Sequence, residues 1–298
     1  MAIPQDDLVA MSRIGAQTTS KDTYATVKLA LEAPGVPYRT GGRQADVFLQ
    51  GSYGNDTNIW RESDVDVVVC LTTTFTYDDS GLAPFAQAAR AAAYSWATYN
   101  QPDFDRDVRH VLRQRFGADA QPETKAVTIA ASHPRRKADV IIALEHRKYL
   151  NYGGLFGELY ISGISFRKSD GNLVVNYPKQ HHDNLIAKNQ RTDGRFKHII
   201  RMFKNLREKL LADGAIVPGS APSYYIEGML YNVPDHLFSG TYAYAVEQIL
   251  IWLRDCNRQT LQCANQQYPL LDGNTDVTWE AWRFNAFVDA LINKWVHW

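Results

Sequence analysis

The chain of 298 residues is 45% hydrophobic and 21% charged, a composition typical of an ordered globular protein with a sizeable core. Its 32 basic residues balance 32 acidic ones, so no overall field draws it to a long nucleic-acid duplex or an anionic membrane surface. Cys70, Cys256 and Cys263 lack the spacing of a disulfide framework or a zinc cluster. The N-terminal sequence has no signal-peptide pattern, and no apolar run approaches the roughly 20 residues that a membrane helix needs. We therefore expect a cytoplasmic protein without a membrane segment.

Strand and helix patterns alternate in the first part of the chain. Helical spacing, with Ser20 as a candidate cap for the first helix, predicts helices at 20–31, 85–99 and 104–116. Stretches rich in β-branched residues predict strands at ADVFLQGS, VDVVVCLT, KAVTIAA and KADVIIAL. The Ser-Asp-Gly sequence at 169–171 predicts a hairpin.

Beyond about Tyr177 the patterns are those of helices. They lie at 194–214, 241–259 and 278–295. We therefore predict an α+β fold in two parts, with an active-site cleft between them. Residues 1–177 would form a catalytic core of mixed sheet and flanking helices, with an N-terminal helix that packs on both parts, and residues 178–298 would form a helical lobe.

Paired aspartates open the second predicted strand, in the sequence Ser-Asp-Val-Asp. Alternate residues of a strand face the same side, so Asp64 and Asp66 should project together while Val65 and Val67 point into the core. Asp139 opens a later strand in the same way and is the candidate third carboxylate. Carboxylate oxygens suit Mg²⁺, and two such ions can bind the attacking and leaving oxygens of a displacement at phosphorus. We therefore predict that these three aspartates hold two Mg²⁺ ions, with Mn²⁺ as an alternative.

A Gly-Ser pair precedes the aspartates, where the first strand ends. Gly51 lets the backbone approach a phosphate closely, and Ser52 offers an N–H and a hydroxyl to phosphate oxygens. Alone, the Asp-x-Asp pair also fits a plain strand edge with its polar residues outward. The strand-loop-strand context, the Gly-Ser pair and the third aspartate favour a phosphate and metal site.

This arrangement resembles the nucleotidyltransferases with a polymerase-β-like core, whose signature is Gly-Ser, a spacer, Asp-x-Asp and a third Asp on a later strand. Gly51, Ser52, Asp64, Asp66 and Asp139 match that signature. The Ser-Asp-Val-Asp form and the second half of the chain are most similar to the CD-NTases. These bacterial relatives of cyclic GMP-AMP synthase make cyclic oligonucleotide signals in anti-phage (CBASS) defence. The resemblance spans nearly the whole chain.

A basic helix is predicted in the second half of the chain. Eight Lys or Arg lie between Lys188 and Lys209 against two acidic residues. Lys197, Arg201 and Lys204 share one face of this helix, and we expect that face to be displayed at the surface, where it either contacts phosphates or is simply solvated. The neighbouring residues 181–183, His-His-Asp, are expected to have a surface or capping role and not to bind a metal.

The resemblance also implies roles in the second half of the chain. In the CD-NTases a lysine on such a helix and a following Ser-Tyr pair contact the nucleotide. Lys204 and Ser223 would thus take phosphate oxygens, with Arg201 on the same basic face. Tyr224 would stack on a base, with ordinary packing as its alternative. Asn176 is a candidate for reading a pyrimidine, with a turn role as its alternative.

The activity that the resemblance implies is metal-dependent nucleotidyl transfer. NTPs, drawn from ATP, UTP, GTP and CTP, would be joined into a cyclic di- or oligonucleotide with release of pyrophosphate. A downstream effector would sense the product, and we expect the synthase to be a monomer. Two alternatives stay open: transfer to a protein, an RNA end or a small molecule, and a nucleotide-binding sensor without catalysis. Retention of all three aspartates argues against the sensor.

Overall fold

The chain folds into two units, and each is drawn from separate stretches of sequence. The structure is a computed structural model that describes residues 3–15, 17–60, 64–273 and 275–298. The sheet unit comprises Thr18–Gln50 and Asp64–Pro178. The helical unit comprises the described parts of Met1–Gln17, Gly51–Ser63 and Lys179–Trp298. The segment that follows the first strand therefore belongs to the helical unit.

The sheet unit is built on a mixed sheet of seven strands, counted over the described residues. The strands are β1 (Ala45–Gln50), β2 (Val65–Asp78), β3 (Ala120–Pro122), β4 (Val127–Ile129), β5 (Ala138–Asn151), β6 (Leu159–Arg167) and β7 (Leu173–Asn176). Their order is β1-β2-β5-β4-β3, and β6 and β7 extend from the second half of β5. Strands β2 and β5 are parallel, whereas the other pairs are antiparallel. The predicted mixed sheet and the hairpin between β6 and β7 are confirmed.

Ten α-helices lie in the described part of the chain. They are α1 (Gln5–Met11), α2 (Thr18–Leu31), α3 (Gly51–Gly54), α4 (Pro84–Ala93), α5 (Gln101–Phe116), α6 (Pro178–Arg191), α7 (Arg195–Ala212), α8 (Ser223–Tyr231), α9 (Tyr242–Asp255) and α10 (Ala281–Val296). The helices predicted for α2, α5, α7, α9 and α10 are confirmed, with shifts of a few residues at their ends. None of these helices combines the length and the apolar character that a bilayer crossing requires.

The helix predicted at 85–99 is too long by six residues, because α4 ends at Ala93. Tyr94 has an extended backbone, its hydroxyl donates to Glu158 Oε1 at 2.7 Å, and its ring packs edge-on against Phe75. These tertiary contacts outweigh the local helix propensity of the stretch. The next helix, α5, then begins at a capping box formed by Asn100.

Each unit has its own apolar centre. Strand β2 is buried along most of its first half, as expected for a strand that is covered on both faces. Helices α2 and α5 pack against this sheet. In the helical unit, α7, α8, α9 and α10 enclose a large core that includes Phe203, Ile226, Ile249 and Phe287. The apolar stripe that the sequence predicts on α7 therefore packs into this core, as expected.

Candidate active site

The predicted carboxylates meet where β2 and β5 run side by side. Asp66 and Asp139 are register partners in this parallel pair, so their side chains leave the sheet at adjacent positions. Asp64 lies two residues before Asp66 and shares its side of the strand. Val65 and Val67 between them are fully buried, whereas the three aspartates are half-buried. The predicted alternation of aspartate outward and valine inward is confirmed.

One lysine ammonium is bound to two of the three carboxylates. Lys137 Nζ donates to Asp64 Oδ2 at 2.8 Å and to Asp139 Oδ2 at 3.2 Å. The hydrogen bond to Asp64, reinforced by Asp139, raises the pKa of Lys137 above its usual value. The other oxygen of Asp139 accepts from Thr128 Oγ1 at 2.5 Å. The carboxylates thus already attract a cation, and Asp139 is held from two sides.

The neighbouring basic residues do not share this role. Arg135 pairs with Asp119 at 2.5 Å and lies over the ring of Phe116, while the backbone N–H of Arg136 donates to Thr23. Lys137 differs from Arg135 in that its ammonium bonds to two of the aspartates. Lys137 therefore offsets part of the carboxylate charge at this strand entry.

The donor set suits a hard cation, although it is not closed around one. Within the described residues, no group of three or more His, Cys, Asp or Glu side chains is gathered tightly enough to hold a metal ion. The available atoms are carboxylate oxygens, which divalent ions such as Mg²⁺ prefer. The ammonium of Lys137 shows that a positive charge is stabilised at Asp64 and Asp139. The chemistry of these residues therefore fits a divalent metal.

The Gly-Ser pair begins a tight turn directly after β1. Gln50 ends β1 as the register partner of Asp66, and Gly51 then adopts φ 66°, a left-handed conformation that favours glycine. Ser52 belongs to the short helix α3, and its carbonyl accepts from Thr57 N at 2.9 Å. We call the described residues 51–60 the Gly-Ser loop. This loop is part of the helical unit, although its first residue follows a strand of the sheet unit.

Lys204 of α7 is bound to the Gly-Ser loop. Its side chain has no exposed surface, and Nζ donates to Ser52 Oγ at 2.8 Å, to Thr57 Oγ1 at 3.1 Å and to Glu227 Oε1 at 3.0 Å. An ammonium is a donor only, so all three oxygens accept from Lys204. Lys204 is therefore bound to Ser52 in this structure, and its predicted phosphate contact stays a prediction.

The expectation that the basic face of α7 is displayed is wrong. Lys197 and Arg201 are 8% and 6% exposed, because they too bind the loop and its surroundings. Arg201 donates to the carbonyls of Ser12 at 2.5 Å and Asp56 at 2.7 Å, and Lys197 Nζ lies 3.3 Å from Asp56 Oδ2. The charges are buried against acceptors from distant parts of the sequence. Arg201 therefore supports the loop in this structure, and its predicted phosphate contact stays a prediction.

Glu227 was not predicted, and it lies at the centre of this network. Its carboxylate is 2% exposed and accepts from Asn55, Thr57, His181 and Lys204. Burial alone would raise the pKa of Glu227, but the Lys204 ammonium and the hydrogen bond from His181 outweigh it and lower the pKa. The sequence does contain a signal for Glu227. It is the one acidic residue in the apolar helix SYYIEGMLY, a pattern that indicates a buried, paired charge.

His181 also departs from the expected surface role. It is buried, its Nε2–H donates to Glu227 Oε2 at 2.8 Å, and Nδ1 has no hydrogen-bond partner among the described residues. Its ring stacks on Tyr224 with centroids 4.8 Å apart. His182 Nδ1 lies 3.2 Å from Asn55 Oδ1 of the Gly-Ser loop. The expected surface role is therefore wrong for His181, because α6 packs this side chain against α8.

The remaining predicted nucleotide contacts lie at the start of α8 and at the end of β7. Ser223 Oγ accepts from Arg207 Nη1 at 3.0 Å. Tyr224 accepts from Asn265 Nδ2 at 3.0 Å, and burial raises the pKa of this tyrosine well above its usual value. Asn176 Oδ1 accepts from the backbone N–H of Tyr177 at 2.8 Å, a local contact of the kind expected for a turn. Ser223 and Tyr224 thus belong to the helical unit and Asn176 to the sheet unit.

Comparisons with known proteins agree with this architecture. Residues 183–296 match the family model described as the cGAS/DncV-like nucleotidyltransferase C-terminal helical domain. The cyclic UMP-AMP synthase of Rhodothermus marinus is 34% identical over 299 residues, covering 100% of this chain and 99% of that protein. The cyclic nucleotide synthase CdnE01 of Staphylococcus haemolyticus is 34% identical over 304 residues, covering all of both chains.

Solved structures show the same likeness. The Rhodothermus marinus CdnE c-UMP-AMP synthase, solved with Apcpp and Upnpp, has a TM-score of 0.88 at 34% identity and covers 99% of this chain and 97% of its own. The Elizabethkingia meningoseptica CdnE cyclic dinucleotide synthase has a TM-score of 0.75 at 23% identity, covers 99% of this chain and 98% of its own, and supports the fold.

A mixed sheet with paired strand aspartates and a helical unit define a nucleotidyltransferase. The chain belongs to the cGAS/DncV-like nucleotidyltransferases, or CD-NTases. It is a metal-dependent enzyme that joins NTPs into a cyclic di- or oligonucleotide second messenger of anti-phage defence, with release of pyrophosphate.

Proposed function

We propose that Asp64, Asp66 and Asp139 are the catalytic and metal-binding residues of this nucleotidyl transfer. The observation that carries the proposal is the parallel register that sets Asp66 beside Asp139, with Lys137 bound to both Asp139 and Asp64. Carboxylates that are grouped at one end of two strands and already bind a cation form a suitable donor set for a divalent ion.

The cofactor we propose is a pair of Mg²⁺ ions, with Mn²⁺ as an alternative. Asp64, Asp66 and Asp139 would hold them. When bound, such ions neutralise the charge that develops on the attacking and leaving oxygens at the α-phosphorus. The protein's part is to align the reactants. Strands β2 and β5 fix the spacing of the aspartates, and the hydrogen bond from Thr128 orients one oxygen of Asp139.

The reaction consists of in-line displacement at the α-phosphorus of a donor NTP. The ribose hydroxyl of an acceptor nucleotide gives up its proton on the Asp139 side, and its oxygen forms the new P–O bond. The bond from the α-phosphorus to the oxygen of the β-phosphate breaks, and pyrophosphate leaves with the electron pair. We assign Asp64 and Asp66 to the triphosphate side and Asp139 to the side of the attacking hydroxyl. A second transfer at the same centre closes the ring.

The triphosphate contacts come from the Gly-Ser loop. Gly51 provides the turn, and Ser52 Oγ, which accepts from the donor-only ammonium of Lys204, keeps its own proton to donate to a phosphate oxygen. Ser223 serves a phosphate in the same way, and Tyr224 stacks on a base with the ring face opposite His181.

The product we propose contains uridine and adenosine. Support comes from the full-length similarity to the Rhodothermus marinus enzyme named cyclic UMP-AMP synthase. Asn176 would read the pyrimidine through its amide. The substrates would then be ATP and UTP, with GTP and CTP used less.

Four further assignments stay predictions. They are a monomeric state, a cytoplasmic location, an effector that senses the product, and the division into a catalytic core at 1–177 and a nucleotide-binding lobe at 178–298. The first can be tested by light scattering of the purified chain.

The metal assignment is tested with the double variant Asp64→Asn/Asp66→Asn. We expect it to lose product formation by at least about a thousandfold while its melting temperature stays within a few degrees of the unaltered chain, because both aspartates are half-buried and contribute little to the core. Asp22→Asn, an exposed carboxylate of α2, is the matched control and should leave turnover unchanged. Undiminished turnover in the double variant would refute the assignment.

A further inference from the structure

Every oxygen of the Glu227 carboxylate is occupied, and its partners come from three separate segments. Oε1 accepts from Thr57 Oγ1 at 2.5 Å and from Lys204 Nζ at 3.0 Å. Oε2 accepts from Asn55 Nδ2 at 3.1 Å and from His181 Nε2 at 2.8 Å. Two of these donors belong to the Gly-Ser loop, one to α6 and one to α7. The carboxylate therefore joins the loop to two helices of its own unit.

Lys204 connects this carboxylate to Ser52. The ammonium is fully buried and bridges Glu227 Oε1 and Ser52 Oγ at 3.0 and 2.8 Å. Since an ammonium only donates, Ser52 Oγ must accept, and the hydroxyl proton of Ser52 is directed away from Lys204. Ser52 makes its hydroxyl contact with Lys204 inside the helical unit, so the direction of that proton is set by where Lys204 is held.

Glu227 supplies a counter-charge for Lys204. A buried ammonium without a counter-charge is strongly unfavourable, and Glu227 Oε1 lies 3.0 Å from Lys204 Nζ. The two charges cancel, and the donors from Asn55, Thr57 and His181 satisfy the remaining lone pairs of the carboxylate. A buried ion pair whose hydrogen bonds are all made is held in one arrangement. Such a pair can therefore fix the position of a third group, here the Ser52 hydroxyl.

We propose that Glu227 is a positioning residue for nucleotidyl transfer, which acts through Lys204 to aim the Ser52 hydroxyl at the donor triphosphate. This inference rests on the proposed phosphate contact of Ser52. It gives Lys204 a part in orienting Ser52, beside the phosphate contact predicted for this lysine. It also explains why the Gly-Ser loop belongs to the helical unit, since that unit supplies the groups that orient Ser52.

The test is a double-mutant cycle between Ser52→Ala and Glu227→Gln, with kcat and KM measured for the donor NTP. Each single change should lower kcat/KM about 10- to 100-fold, mainly through kcat. If Glu227 acts through Ser52, Glu227→Gln should have less than about a threefold effect in the Ser52→Ala background. Effects that multiply in the double variant would overturn the inference, because Glu227 would then act independently of Ser52.

A matched control uses another ion pair of the helical unit, in which the lysine is buried. Lys188 is 2% exposed, its Nζ lies 2.7 Å from Asp235 Oδ1, and the Asp235 side chain is 34% exposed. The pair bonds further to Val233 and Arg191, which lie outside the Gly-Ser loop. Asp235→Asn should lower the melting temperature while leaving kcat/KM within about threefold. A loss of kcat in this variant equal to that of Glu227→Gln would show that any broken buried pair has the same effect, and would contradict positioning.

Two results separate this inference from the proposed function. If Ser52→Ala retains full kcat/KM, the phosphate role of Ser52 and the inference both fail. If Ser52→Ala is impaired and the cycle is additive, only the inference fails. Should Glu227→Gln not fold, Lys204→Arg replaces it in the cycle. Arginine keeps the positive charge, but its planar guanidinium does not reproduce the hydrogen bond of the lysine ammonium to Ser52. The same non-additivity with Ser52→Ala is expected.

Discussion

Lys137 offsets part of the charge of the aspartates in the structure, at hydrogen-bond distance from Asp64 and Asp139. Removal of its ammonium would take a positive charge away from half-buried carboxylates. We expect Lys137→Met to melt at a lower temperature than the unaltered chain in EDTA, and to gain more from added Mg²⁺ or Mn²⁺. Melting curves with and without metal measure this, with Lys28→Met as the control, because the Lys28 and Lys137 side chains are both 40% exposed. Equal metal-induced shifts in all three proteins would argue against a metal at these aspartates.

Glu227 makes a pH-dependent contribution to stability. Its pKa in the folded chain is lowered below the ordinary value of 4.5, so the contribution is complete above that pH and declines as the pH falls below it. We expect Glu227→Gln to reduce the free energy of unfolding by about 3–5 kcal/mol at neutral pH, and by progressively less below pH 4.5.

Denaturant unfolding of the unaltered chain and of Glu227→Gln, from pH 7 to pH 3, measures this difference in free energy. Glu32→Gln, which removes a partly exposed ion pair with Arg39, should change the free energy of unfolding by less than about 1 kcal/mol throughout. A Glu227→Gln effect that is constant across this range would mean that the carboxylate is not the charged form that the network implies.

Asn176 offers a test of base selection at a single residue. We expect Asn176→Ala to reduce incorporation of uridine about 10-fold or more relative to adenosine, because a lost hydrogen-bond partner leaves polar groups of the pyrimidine unpaired. Competition between labelled UTP and ATP measures the ratio. Asn172→Ala, in the β6–β7 hairpin, is the control. An unchanged ratio would mean that Asn176 does not select the base and serves only in the turn, as its hydrogen bond with Tyr177 indicates.

At the scale of elements, helix α7 shows what sequence periodicity omits. Its apolar stripe was predicted and forms the core of the helical unit. Its basic stripe looked like a solvated face, yet Arg201 and Lys204 are buried against residues more than 140 positions away in the sequence. Spacing along one helix reports which residues share a face, but not which distant segment covers that face. The buried role of Glu227 escaped prediction for the same reason.

The aspartates at β2 and β5 show what sequence periodicity does predict. Strands β2 and β5 have strong apolar runs. Asp66 and Asp139 are the second residues of these strands, and Asp64 directly precedes β2, so strand alternation alone placed Asp64 and Asp66 on one side. Their pairing with Asp139 depends on the register between strands that are some 70 residues apart, which the pattern of one strand does not contain. Strand context and the family resemblance together selected that third aspartate.

A backbone contact anchors the far end of the Gly-Ser loop. Gly15 N donates to Asn58 O at 3.0 Å, and a Cβ at Gly15 would lie 2.6 Å from the backbone of Ile59. We expect Gly15→Ala to lower the free energy of unfolding by about 1–3 kcal/mol and to lower activity, since the loop must shift. Gly81→Ala, whose Cβ would lie 3.8 Å from Tyr149 O, is the control for unfolding and turnover. Equal stability of the two variants would contradict this anchor.

At the scale of the whole molecule, the residues proposed to bind metal and most of those proposed to bind nucleotide belong to different units. The sheet unit carries the aspartates, and the helical unit carries Ser52, Ser223 and Tyr224. The Gly-Ser loop leaves β1 and packs within the helical unit, although it stands between two strands in the sequence. The pattern of strands and helices along the sequence does not show this exchange, because the loop's partners are fixed by tertiary contacts.

The full-length similarity to cyclic nucleotide synthases makes the product the central question. The most direct measurement is incubation of the chain with all four labelled NTPs and Mg²⁺ or Mn²⁺, followed by phosphatase treatment and mass spectrometry of the products that survive. We predict a phosphatase-resistant cyclic nucleotide that contains uridine and adenosine, absent with Asp64→Asn/Asp66→Asn. A labelled polymer, or a label attached to protein or RNA without a small resistant product, would contradict the account.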